Sequence, residues 1–114
     1  MNSGWTLFDE GITVGQQGDE GGLIVRDEEY IGICRITLEE RCSFAPYAIT
    51  CGIYGWFFHT RFFEGQTEAE SSFEAMQPNL AAIVESIPLS RDPDAKNKMI
   101  LVGDAIGEFV QAFP

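Results

Sequence analysis

Over the first sixty residues, short apolar runs alternate with clusters of charge and glycine at intervals too brief for helices; beyond Thr67 the apolar positions recur every third or fourth residue. Trp5 to Phe8 and Ile12 to Gly15 flank Asp9-Glu10-Gly11, a three-residue link with glycine where a left-handed residue is wanted, and the pair reads as a hairpin. GQQGDEGG, residues 15–22, is a polar loop. GLIVR and IGICRITL lie on either side of a charged turn at Asp27-Glu28-Glu29-Tyr30. After a break at Ser43 to Pro46, YAITCGIY runs through Gly55 into WFFHTRFF, with Gly52 and Gly55 marking a bend or turn. The reading is about six short strands, each close enough to its predecessor to pair with it as an antiparallel meander.

The second half changes period. Phe73, Met76, Leu80, Ile83, Val84 and Ile87 fall on one helical face, Thr67 and Glu70 have capping-box spacing, and Pro88 stops the run. Pro78 lies inside it and predicts a kink or restart. Asp92-Pro93-Asp94 announces a second helix by an N-cap, a proline at the first helical position and a carboxylate near the positive end of the dipole. Met99, Val102, Ile106, Phe109, Val110 and Phe113 form its stripe. The fold class expected is α+β in one domain over residues 1–114: strands within roughly 5–63, then helices at roughly 67–87 and 93–113 packed on one face of the sheet.

Alternation along the last strand divides Trp56, Phe58, Thr60 and Phe62 from Phe57, His59, Arg61 and Phe63. One set belongs beneath the helices. The second set, two phenylalanines with the chain's sole histidine and an arginine, is expected on the helix-free face, where suitable register would add Arg35 from IGICRITL. Phe57, His59, Arg61, Phe63 and Arg35 are therefore the candidate ligand- or partner-binding residues, since apolar area carrying a few polar groups is what an interface or groove presents. The plainer reading of the arginines is cross-strand pairing with Glu39 or Glu64, and of His59 a half-buried packing group with one hydrogen bond. Cys51 falls in the neighbouring strand, but a cysteine–histidine pair depends on a register that spacing does not supply.

Charge changes the picture by excluding partners. The net charge is −11, divided as −6 up to Glu64 and −5 beyond it, so acidity covers the whole surface. Nucleic acid and anionic membranes are poor partners for such a field, because their binding draws on Lys and Arg. Three cysteines, an odd number, together with an N-terminal segment that lacks a basic start and an apolar run, read as reduced thiols in the cytoplasm. No run approaches the roughly 20 apolar residues of a membrane span.

Other motifs carry little chemistry. GQQGDEGG lacks the lysine of a phosphate-binding loop, Gly103 and Gly107 are read as a close approach to the other helix or the sheet, and no cysteine or histidine spacing suits a metal. No cofactor, metal or catalytic residue is assigned. The functional expectation is a non-enzymatic interaction or dimerisation module working through the open sheet face, as a homodimer or with a protein partner. Small acidic immunity proteins that neutralise toxins share its size and charge but no motif. The alternative is a binder of a small carboxylate, or an enzyme, with its pocket around His59 and Arg61.

Overall fold

A computed structural model describes residues 4–114; Met1–Ser3, the start of the segment read as lacking a signal peptide, lie outside the described residues. The strands are β1 (Trp5–Leu7), β2 (Leu23–Tyr30), β3 (Cys34–Glu40), β4 (Tyr47–Ile53) and β5 (Phe57–Phe63), followed by helices α1 (Gln66–Ser86) and α2 (Ala95–Ala112). The strands pair in chain order as one antiparallel sheet. The α+β meander expected from the pattern is thus present, with five strands in place of six.

The missing strand is Ile12–Gly15. Asp9, Glu10 and Gly11 all take left-handed dihedrals, which coils the chain into a tight 3-10 turn at Phe8–Gly11 instead of reversing it as a hairpin. The following segment comes back along β2 as a loop: Gly15 N–H donates to the Ile24 carbonyl at 2.8 Å and Ile24 N–H to the Gln16 carbonyl at 2.9 Å. The turn expected at Asp27–Tyr30 is displaced too. Those residues extend β2, and the reversal falls at Ile31–Ile33, where Ile31 and Gly32 adopt positive φ. Two of their three charges are tolerated in the strand because they are paired, those of Asp27 and Glu28. Asp27 meets Arg35, and Glu28 accepts from Arg26 and from the Gln77 amide.

One sheet face carries the core. Cys34, Ile36 and Leu38 of β3 and Ile49, Cys51 and Ile53 of β4 lie under Ala69, Phe73, Met76 and Leu80 of α1, all essentially without solvent exposure. Helix α1 runs through Pro78 without interruption, and its N-cap is Gly65 with no side-chain cap, so the Thr67–Glu70 capping box does not form. Asp92 caps the turn ahead of α2: its carboxylate accepts from Asp94 N–H at 2.8 Å and from Lys98 Nζ at 2.6 Å. Helix α2 inserts Val102 and Phe109, and Gly103 and Gly107 face open space, contrary to the close approach their spacing suggested.

Candidate functional site

The register settles which residues of β5 lie on which face. Cys51 pairs with His59, Ile49 with Arg61, Ile53 with Phe57 and Tyr47 with Phe63, so all four candidate residues of β5 share the face of the core. The placement expected for them is corrected: they lie beneath the helices. Arg35 pairs with Gly52, and Gly52 with Phe58, which puts Arg35 alone of the five on the opposite face.

Beneath the helices, His59 and Arg61 hold the end of the chain. His59 Nε2 donates to the Phe113 carbonyl at 2.5 Å, Arg61 Nε donates to the Pro114 main-chain oxygen at 3.0 Å, and Arg61 Nη1 donates to the Ser72 hydroxyl. Phe57 meets Phe109 edge-on with ring centroids 5.9 Å apart, and the Arg61 guanidinium lies over Phe63 and Phe113. The polar heads sit at the margin of the apolar layer and their stems add to it, which is how such groups share a face with a core. Cys51 stands opposite His59, but burial pushes its thiol up to about 12, far from the thiolate a nucleophile needs. Burial raises Cys34 likewise to about 12, and Cys42 to about 11.

The helix-free face is built differently. Asp27, with no solvent exposure, receives Arg35 in bidentate fashion, Nε to Oδ1 at 2.9 Å and Nη2 to Oδ2 at 2.6 Å. The hydroxyls of Thr37 and Thr13 donate to the same carboxylate at 3.0 and 2.7 Å. The guanidinium lies 3.7 Å from the centre of the Phe8 ring, and its pairing with Asp27 raises its pKa. A bulge at Val25 turns Ile24 to this face, under the returning loop.

Glu39, only 1% exposed, is held without a cation among the described residues. It accepts from Glu20 N–H at 3.2 and 3.3 Å and from Gly22 N–H at 3.1 Å. Glycine at 18 makes room for it, since a Cβ there would lie 2.2 Å from the Glu39 carboxyl carbon. GQQGDEGG is therefore a fitted lid on β2 and β3, with backbone amides directed at one carboxylate. The expectation of a merely polar loop missed this, because its key partner is seventeen or more residues away along the chain.

Between the lid and the strands opens a pocket of about 240 Å³, lined by Thr13, Asp19, Arg35, Thr37, Glu39 and Phe58 among others. Beyond its mouth the face is bare and aromatic. Phe58 is 71% exposed and Phe44 84% exposed, Tyr54 and Phe62 are exposed beside them, and Phe44 meets Phe62 edge-on at 5.4 Å. These four residues, with Arg35 behind them, form the surface that sequence reasoning sought at Phe57 and Phe63. Among the described residues no three His, Cys, Asp or Glu side chains converge as metal ligands, and no helix is long and apolar enough to cross a membrane.

No family model, curated protein or solved structure matches this chain.

Proposed function

We propose that this chain is a non-enzymatic interaction protein that docks a basic protein partner on the helix-free face of its sheet. The observation that carries the reading is the exposed aromatic group Phe44, Tyr54, Phe58 and Phe62 at the mouth of a pocket whose carboxylates exceed its cations. Aromatic side chains dominate the energetics of protein interfaces, and a patch of this kind ringed by polar groups marks such a surface. Asp27 neutralises Arg35, leaving Asp19 and Glu39 as uncompensated charge within the pocket lining. Its volume, about 240 Å³, falls below the roughly 300–1,000 Å³ of drug-sized ligand sites and suits one inserted lysine or arginine side chain. The net charge of −11 steers such a partner from a distance.

A small carboxylate ligand at His59 and Arg61 draws less support, because both side chains already bond Phe113, Pro114 and Ser72. The three unpaired thiols favour a reducing compartment, and we place the protein in the cytoplasm. Holding a basic toxin or enzyme inactive is one task this surface suits.

Side-by-side affinity capture with wild type and Phe58→Glu tests the reading. The expected partner is basic, forms a purified stoichiometric complex that weakens with salt, and is lost with Phe58→Glu. A partner that is acidic, or that binds Phe58→Glu as tightly as wild type, overturns it.

A further inference from the structure

The two margins of the sheet differ in how they are finished. The outer edge of β2 is occupied along most of its length, by the three residues of β1 at one end and by main-chain bonds from Gly15 and Gln16 at the other. Strand β1 itself is only three residues long and ends in the tight turn at Phe8. Short edge strands and covering loops are standard protection against pairing with another chain.

Strand β5 has none of these protections. It is seven residues long with no proline, lysine, carboxylate or bulge, and it pairs with β4 alone. Apart from that pairing, no main-chain hydrogen bond involves residues 57–63 among the described residues. In a chain with eighteen carboxylates, this acid-free run falls on the longer of the two outer strands among the described residues. Its sequence, FFHTRFF, also reads nearly alike from either end about Thr60.

We infer that β5 pairs antiparallel with β5 of a second copy, about a two-fold axis through Thr60, joining two five-stranded sheets into one of ten strands. This pairing sets Phe58 opposite the partner's Phe62, and Phe57 opposite the partner's Phe63, on opposite faces of the joined sheet. Aromatic pairs directly across an antiparallel ladder stabilise it, and like carboxylates, the main source of repulsion between copies this acidic, are absent from the seam. An axis perpendicular to the sheet keeps both helical layers on one side and makes the interface isologous, the commonest arrangement for homodimers. The inference does not rest on docking of a basic partner, because it is argued from the unpaired main-chain edge of β5, although Phe58 and Phe62 belong to both surfaces.

Light scattering over a wide concentration range, combined with directed cross-linking, tests it. Residues directly opposite in an antiparallel pair have Cα atoms roughly 4.5–5.5 Å apart, within the span a disulfide bridges. In a Cys42→Ser background, Thr60→Cys is expected to give a covalent dimer on mild oxidation, and Thr6→Cys on the opposite edge is expected to form no covalent link. Wild type is expected to run as a dimer, and Phe62→Lys to weaken dimerisation by at least about tenfold with an unchanged circular dichroism spectrum. A wild type that stays monomeric throughout overturns the inference. So does a dimer in which Thr60→Cys fails to cross-link, or one that Phe62→Lys leaves intact.

Discussion

Between α1 and the sheet, Ile36 and Phe73 are shut off from water chiefly by apolar packing; on the other side of the sheet, Asp27 and Glu39 are shut off as completely, but by hydrogen bonds. The two faces achieve burial by opposite chemistry. Apolar packing is non-directional and accepts any side chain of suitable volume, whereas a buried carboxylate needs each donor in place. The helical side can therefore drift in sequence without losing its shape. The lidded side fixes Thr13, Arg35, Thr37 and the 18–22 backbone together, and holds the aromatic surface beside it in a set position. That division gives a generic support beneath a specified face, which suits the interaction role proposed above.

The largest effect expected of a single truncation lies on the generic side. Phe73→Ala empties the centre of the core, where the ring has no solvent exposure and lies against Arg26, and should cost about 3–5 kcal/mol in urea unfolding. On the lidded side, Arg35→Ala leaves Asp27 buried with the two hydroxyl donors Thr13 and Thr37 among the described residues. A buried charge stripped of its counterion is strongly destabilising. Because Arg35 is itself about one-third exposed and the hydroxyls remain, a loss of about 2–3 kcal/mol is expected. A loss below about 0.5 kcal/mol would show that the helix-free face is held by packing, as the other is.

The fold was legible because its signals are local. Periods of two and of three to four separate the sheet from the helices, and YAITCGI places apolar and small residues on opposite faces of β4. What stayed hidden was parity. The turn Tyr54–Trp56 closes with Trp56 N–H donating to Ile53, so Ile53 pairs with Phe57 and odd-numbered residues of β5 join odd-numbered residues of β4. That single register fact sends His59 and Arg61 to the core face, and Phe58 and Phe62 outward. Gly55, at positive φ, was the available clue. The partnership of Glu39 with the 18–22 amides carried no comparable signal, since no spacing rule links a carboxylate to a glycine-rich loop two strands earlier.

Alkaline pH sharpens the contrast between the faces from the apolar side. Unfolded cysteine ionises near 9.0, whereas burial holds Cys34 and Cys51 protonated up to about 12. Because the folded pKa is raised, the stability linked to each thiol is intact below pH 9 and declines as pH rises toward 12, the unfolded chain having released a proton that the folded one retains. By pH 10 each thiol should have withdrawn about 1.4 kcal/mol. Cys51→Ala should reduce the fall in unfolding free energy between pH 8 and pH 10 by about that amount, whatever its effect at neutrality. An unaltered fall would mean that the thiol is not sheltered in the folded protein.

The smallest effect concerns the chain's sole histidine. His59 lies on the apolar face and among the described residues makes one polar contact, with the Phe113 carbonyl, so His59→Ala should remove a single hydrogen bond and part of a ring, for about 1 kcal/mol. The carbonyl it abandons lies at the end of α2, near water, and can be solvated at little further cost. Accordingly the substitution should loosen residues 110–114, seen as faster amide exchange there, while the proposed partner capture is retained. Phe58→Glu should behave inversely, with near wild-type stability and no retained partner. Were His59→Ala to abolish capture while the helix end stayed protected, the imidazole would belong to the functional surface despite lying beneath the helices, and the assignment of roles to the two faces would have to be exchanged.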